Sequence, residues 1–448
     1  MSMPWLDGWT FAELVCESDE PMARIPRKLL FDPTEVGVYH CINRCVRRAR
    51  LMGEDPYTGQ SYDHRKDWLV GRMEELAGIM ACEFLAFSVM DNHFHVVVRN
   101  RPDLVAGWSD EEVARRWYRL CPLRCDADGN PAEPTEADLG MIVNCAERLA
   151  ERRLRLSSPS WLMRFLTERI ARMANAEDKV SGRFWQGRFE MIRLLDEAAI
   201  AACIVYVDLN PIRAEIAQCP EESQFTSVYE RIVAARESGL FPSAVEPTEF
   251  ATEPATPPGC ATVDVPSGKR EAVGSVESGD STVAADDDSR QLVRAVDASS
   301  LRAEVSESSA TPFEAAKPDR AAWLVPLEIS AEIEQHVVPG ARASNKGCLE
   351  MSFAAYLELL EWSGRQWRAD KRGAIPGNLP PVFERLGIPE AGWMELLRGF
   401  DGRFRRVAGS PESMAQEAAK RGRRYLHGMP TSRAAFGGQS SRSSTDKI

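Results

Sequence analysis

At 448 residues and 44% hydrophobic content, the chain is long enough for two or three globular domains. No apolar run reaches the roughly 18 residues of a membrane-spanning helix, and the acidic first twenty residues lack the basic-then-apolar order of a secretory signal; a cytoplasmic protein with no membrane partner is expected. Net charge is −12, which taken whole argues against a nucleic-acid partner.

The charge is uneven, however, and the chain divides along it. Residues 1–22 carry five acids and no bases and read as an acidic tail. Residues 23–50 reverse the sign, with seven bases against two acids. Within them "GVYHCINRC" (37–45) alternates as a strand does and runs into a cluster of Arg44, Arg47, Arg48 and Arg50. "DHRKDWLVGRMEELAGIMA" follows, with Trp68, Arg72, Leu76 and Met80 at helical spacing. "EFLAFSVM" (83–90) and "HFHVVVRN" (93–100) read as two strands turned into an antiparallel hairpin through Asp91 and Asn92. Residues 101–150 are acidic, with "CDADGNPAEPTE" in their middle, and are expected to be an irregular insertion. "PSWLMRFLTERIARMANAEDKV" is amphipathic at the helical period, with Pro159 suited to its first turn. "GRFWQGRFEMIRLL" reads as a strand, and Asp196 is placed to cap a last helix, "EAAIAACIVYVDLN", which stops before Pro211.

The order strand, helix, strand, strand, helix, strand, helix predicts an α+β fold over residues 23–240. Its form is an antiparallel sheet with helices on one face, the ferredoxin-like split βαβ arrangement. Residues 243–320 hold fifteen acids against seven bases in a background of Ala, Ser, Pro and Thr. Such a composition cannot bury enough apolar surface to order itself, so 241–321 is expected to be a disordered acidic linker. Helical patterns return over 322–428 as a small basic domain on a loose tether. "KRGRRYLH" (420–427) within it reads as a basic helix suited to a DNA backbone, or as an ordinary basic helix face, and 429–448 reads as a disordered polar tail. The eleven cysteines are scattered. Cys41/Cys45 and Cys121/Cys125 have a three-residue gap where zinc sites favour two, so reduced, mostly buried thiols are expected.

Two short stretches carry candidate chemistry. In "MDNHFHVVVR" (90–99), strand alternation sends Phe94, Val96 and Val98 into a core and puts His93 and His95 together on the opposite face. Two imidazoles so placed can bind one divalent ion, though many such pairs are incidental. In "YVDLNP" (206–211), Tyr206 and Asn210 are one helical turn apart and share a face, while Ile200, Ile204 and Val207 form the face to be buried. A tyrosine there can serve as a nucleophile beside an amide ligand; a helix-packing tyrosine and an Asn that caps before proline are the plainer alternatives.

Together these pieces resemble the single-tyrosine HUH transposases of bacterial insertion sequences, in particular the branch containing the REP-associated tyrosine transposases. The resemblance rests on "HFH" followed by "FWQGRFEMIRLLDEAAIAACIVYVDLNPIRA" and covers about residues 23–235, apart from the 101–150 insertion. It implies that His93 and His95 hold Mg²⁺ or Mn²⁺ and that Asn210 completes the site through its side-chain oxygen. Tyr206 would then attack a phosphodiester of single-stranded DNA with hairpin or repeat ends, leaving a 5′-phosphotyrosine and a free 3′-hydroxyl. The implied role is DNA transposition or repeat mobilisation by a nucleoid-associated enzyme. Compact relatives work as homodimers and others as monomers, and the added segments leave that choice open here. Expected DNA contacts are Arg44, Arg47 and Arg48 near the metal, Arg183, Trp185 and Arg188 for unpaired nucleotides, and Arg213 for a phosphate. A solvated loop or a core position is the alternative for each. Two other readings remain: a DNA-binding regulator without catalysis, and a hydrolase that uses His93 and His95 with a water nucleophile. His40, on a predicted neighbouring strand, could join such a site but reads more readily as a sheet or core histidine and is left out of it.

Overall fold

The computed structural model describes residues 31–56, 58–125, 132–239, 320–335, 340–367 and 379–437. The expected N-terminal tail, nearly all of the expected linker and the last eleven residues lie outside them, as does the side chain of Arg48.

Strand β1 (Gly37–Arg44) is followed by helix α1 (His64–Ile79) and by β2 (Cys82–Val89) and β3 (His93–Asn100), the expected hairpin. The described residues of 101–150 are not irregular. They form α2 (Pro102–Ala106), α3 (Asp110–Leu120), α4 (Glu136–Val143) and α5 (Ala146–Leu156). Local capping explains them: Ser109 accepts from the Glu112 amide, and Thr135 and Asp138 make a reciprocal capping box. Next come α6 (Pro159–Glu177), β4 (Glu190–Leu194), α7 (Glu197–Asp208), α8 (Asn210–Arg213) and α9 (Ser227–Glu237). The expected strand over 182–195 is confined to β4; the "FWQGRF" stretch before it is a loop anchored by a Cys45–Trp185 bridge. Asp196 caps α7 as expected, accepting from the Ala199 amide at 3.0 Å.

The C-terminal residues supply α10 (Ala331–Glu334), α11 (Phe353–Trp367), α12 (Leu379–Arg385), α13 (Glu390–Gly399), β5 (Val407–Ala408), α14 (Pro411–Lys420) and α15 (Met429–Ala435). Two expectations are corrected here. Residues 421–428 are turns and loop rather than a basic helix, and 429–435, placed in the polar tail, are helical with Met429 and Ala435 buried.

The sheet order is β2-β3-β1-β4-β5, antiparallel except for the parallel β4–β5 pair. Its first four strands have the split βαβ order, so the α+β expectation holds. The helices do not keep to one face. Leu69 and Met73 of α1, Leu162 and Leu166 of α6, and Val113 and Trp117 of α3 pack on Phe84, Phe87, Phe94, Val96 and Val98. The opposite face, with Val38, Val97, Ile192 and Leu194, is covered by α7, α9, α11 and α13 in a second buried cluster.

The described residues of the C-terminal segment pack on the sheet core rather than standing apart from it. Leu324 bridges to Phe84 at the β2 edge, and β5 pairs with β4 at the other, so C-terminal residues meet the sheet at both sides. Arg99 donates to the Gly347 carbonyl at 2.9 Å, Arg231 to the Leu85 and Val325 carbonyls at 2.8 and 3.0 Å, and Tyr356 to the buried Asp208 carboxylate. The described cysteines are free thiols; Cys41 and Cys45 are buried, whereas Cys121 and Cys125 are exposed.

Candidate active site

The antiparallel register puts Ile42 opposite His95 and Arg44 opposite His93, so His40, His93 and His95 all face the α7 side. Phe94, Val96 and Val98 enter the other cluster, as alternation requires. His40 Nε2 and His95 Nδ1 are hydrogen-bonded at 2.8 Å with their rings stacked, centroids 5.1 Å apart. His93 Nδ1 is bonded to Asn92 Oδ1 at 2.7 Å, and its ring stands 5.0 Å from that of His95.

Helix α7 lays Tyr206 on this cluster. The tyrosine ring is edge-on to His95 at 5.9 Å and to His40 at 6.1 Å. The helix is buried on nearly every side rather than half-exposed, because the C-terminal helices cover what would be its polar face. Phe400, at the end of α13, packs on Tyr206 at 5.7 Å and on His40 at 5.9 Å. Tyr206 is only 7% exposed and His95 2%. Asn210 opens α8, one turn beyond Tyr206; it is buried, and its Nδ2 has no hydrogen-bond partner among the described residues.

Arg213 lies over the Tyr206 ring at 4.6 Å and over Trp367 at 4.1 Å, and pairs with Asp401. The expected surface phosphate contact is thus folded into the site itself. Trp185 is also drawn inward: its Nε1 donates to the Thr167 carbonyl at 2.8 Å and its ring meets Phe94 at 5.4 Å. It still borders an open groove of about 370 Å³ that Arg188 and Trp161 also line. Arg183 and Arg188 are exposed, with no ion-pair partner among the described residues. Arg47 is exposed in a short turn at φ 53°.

Burial sets the electrostatics. It pushes His40 and His93 down to about 3, with Arg44 and Arg213 adding to the effect on His93. His95 is held well below the ordinary histidine range by burial first, then by His93 and His40. All three imidazoles are therefore neutral near pH 7, the form that binds metal. Tyr206 is pushed up to about 12 by burial; the Arg213 guanidinium works against the shift and Asp401 adds to it.

Among the described residues no three or more His, Cys, Asp or Glu are grouped to hold a metal ion. The expectation from the sequence is a two-histidine site with an amide ligand. The Nδ1 atoms of His93 and His95 are both engaged, which leaves Nε2 of each as the atom for a ligand bond. Asn210, buried one turn beyond Tyr206, is the remaining ligand expected from the sequence, through its side-chain oxygen.

Sequence reading set His40 aside and missed Phe400, Asp401 and Trp367. The sequence placed His40 on a neighbouring strand, and only the register with β3 shows that it shares a face with His95 and meets it. No local signal could place Phe400 or Asp401, nearly two hundred residues beyond Tyr206.

No protein-family model matches the chain, and no curated protein matches it. Among solved structures, a REP-associated tyrosine transposase bound to a REP hairpin is similar over 51% of this chain and 96% of that chain, at 12% identity and a TM-score of 0.29. A likeness at that score transfers neither residues nor chemistry, so the site rests on its own geometry.

Proposed function

We propose that this protein is a metal-dependent single-strand DNA nuclease and strand transferase of the HUH type, a transposase, with Tyr206 as its nucleophile. The observation that carries the reading is the packing of Tyr206 directly against His95, whose ring in turn meets that of His93, from elements more than a hundred residues apart. A tyrosine buried for packing alone has no need of neutral imidazoles around it.

In this reading the Tyr206 hydroxyl oxygen forms a bond to phosphorus of single-stranded DNA. The bond to the 3′-oxygen breaks, and the proton lost by the phenol is balanced by protonation of the leaving 3′-hydroxyl. The product is a 5′-phosphotyrosine, and the reverse step rejoins DNA without ATP. Mg²⁺ or Mn²⁺ held by His93, His95 and the Asn210 oxygen would supply Lewis-acid stabilisation of charge on the phosphate. Arg213, with its charge 4.6 Å above the Tyr206 ring, favours the phenolate that attack requires.

One observation favours a second reading, a DNA-binding regulator without catalysis. Phe400 covers Tyr206, and a phenol at about 12 with 7% exposure is a poor nucleophile as it stands. Denaturing electrophoresis with end-labelled single-stranded hairpin DNA and Mn²⁺ separates the two. A covalent adduct lost in Tyr206→Phe is expected. Tight binding with no adduct across a range of hairpins establishes the regulator, and cleavage that survives Tyr206→Phe establishes a water-using hydrolase.

A further inference from the structure

Two segments of the C-terminal region, distant from each other in sequence, meet in one strongly basic surface. Arg403, Arg405 and Arg406 follow α13, and Arg421, Arg423 and Arg424 follow α14. Phe404, buried between them, fixes the meeting point. Gly428 (φ 96°) faces its ring so closely that a Cβ there would come within 2.7 Å of it. The Arg406 carbonyl accepts from the Arg193 amide at 2.8 Å, holding the first segment to the edge of the sheet. The arginines are thus presented on a fixed backbone.

Part of this charge is already paired. Arg403 contacts Glu395 at 2.8 Å, Arg421 contacts Glu417, and Lys420 binds Glu35. Arg405, Arg406, Arg423 and Arg424 have no ion-pair partner among the described residues, and Tyr425 beside them is 56% exposed. The arginines repel one another: burial and then Arg423, Arg405 and Arg421 hold Arg406 below the ordinary arginine range. Such crowding costs free energy in the isolated protein, and a polyanion relieves it. The same loop begins with Phe400 and Asp401, which touch Tyr206 and Arg213.

We propose that Arg405, Arg406, Arg423 and Arg424 form a binding surface for the phosphodiester backbone of DNA flanking the strand presented to Tyr206. Guanidinium groups suit phosphate by their paired donors, and a backbone contact of this kind is independent of sequence. The choice of DNA as ligand rests on the strand-transfer reading above; the patch itself does not.

The test is fluorescence anisotropy of the full chain with a labelled DNA hairpin carrying a single-stranded 5′ extension, titrated across salt concentrations. It compares the wild type with a variant in which all four arginines are glutamine and with the double variant Arg423→Gln/Arg424→Gln, whose sites are exposed turn positions. The four-site variant is expected to bind at least about tenfold more weakly at low salt, with a flatter dependence of log affinity on log salt, by roughly 0.9 per lost duplex phosphate contact. The double variant should show about half the change with unaltered thermal unfolding. Unchanged affinity and slope in both variants, with the Tyr206-dependent adduct still formed, overturn the patch alone. Patch-dependent binding with no adduct under Mg²⁺ or Mn²⁺ supports the patch and overturns the strand-transfer reading alone. Patch-dependent binding of the equivalent RNA hairpin, with none of the DNA, overturns the assignment to DNA.

Discussion

The two faces of the sheet use burial for different ends. On the α1 and α6 side, Phe84, Phe87, Phe94, Val96 and Val98 are fully buried beneath apolar helices, and burial there is nearly all gain. On the α7 side, burial is imposed on His40, His95 and Tyr206, and in part on His93 and Arg213, groups that lose hydration without full compensation. His40 Nδ1, Asn210 Nδ2 and two nitrogens of Arg213 have no hydrogen-bond partner among the described residues. Alternation along three short strands leaves one side to apolar packing and sets the candidate chemistry into the apolar cluster on the other.

The largest effect expected from breaking this division falls on the apolar face. Phe94 lies between the two histidines in sequence but points away from them into the Trp185 cluster. Phe94→Ala should lower stability to urea by about 3–5 kcal/mol through lost contacts and a residual cavity. Tyr206-dependent adduct formation should persist in the fraction that stays folded. A small loss of stability combined with loss of the adduct would show that the two faces are not separable.

On the other face, Tyr356 tests how firmly the C-terminal helices close the site. Its hydroxyl donates to Asp208, which also accepts from Ser227 Oγ and from the Val228 amide at 3.1 Å. Burial raises Asp208 above the usual carboxylate range, and these donors oppose it. Tyr356→Phe should cost about 1.5–3 kcal/mol near neutral pH, as expected for a hydrogen bond to a charged group. A raised folded-state pKa means that the burial of Asp208 favours its protonated form, a contribution complete below the unfolded value and lost as pH rises through the folded one. Removing a donor raises the folded value further, so the cost of the variant should shrink on acidification towards the unfolded carboxylate range. Thermal unfolding across pH measures this, and a pH-independent cost would place the effect in packing.

His40 was legible as a residue of the neighbouring strand but not as a partner of His95, because local pattern does not fix the register between strands. The same limit hid Phe400 and Asp401, whose positions depend on packing across the whole C-terminal region. The 101–150 helices were missed for a different reason: the Asp-, Gly- and Pro-rich "CDADGNPAEPTE" dominated the stretch. The capping residues Ser109 and Thr135, each followed by acids, were there to be read. By contrast, the pairing of His93 with His95 and the capped α7 followed directly from strand period and from Asp196.

His40 also shows what the polar face gives up. If its Nε2 accepts from His95 Nδ1, His95 Nε2 is left free for a ligand and His40 Nδ1 carries an unpaired proton. His40→Phe keeps a planar ring and removes that unpaired group but also takes the partner of His95 Nδ1, so the two effects oppose each other and the melting temperature should change little. Mn²⁺ affinity measured by calorimetry should fall about 10–100-fold, the usual effect of losing a group that orients a metal ligand. A lower melting temperature with unchanged Mn²⁺ affinity would make His40 a packing residue only.

The smallest effect asks whether the apolar side is confined to stability. The open groove of about 370 Å³ lies around the sheet end on the α6 side and is lined by Asn43, Trp161, Arg164, Trp185 and Arg188. Trp161 is flanked by Arg155 at 4.1 Å and Arg164 at 4.9 Å, so aromatic surface and positive charge alternate there as single-stranded nucleic acid requires. Arg183 and Arg188 leave the fold intact when removed, because both are exposed and neither is ion-paired among the described residues. The double variant Arg183→Ala/Arg188→Ala should bind single-stranded DNA a few-fold more weakly at low salt and reduce the slope against log salt by about 0.7 per lost contact. Adduct yield at saturating DNA should not change, since neither residue touches Tyr206. If affinity and slope both stay fixed, single-stranded DNA keeps to the histidine face and the apolar side serves stability alone; a fall in slope would show that the strand passes around the sheet end between the two faces.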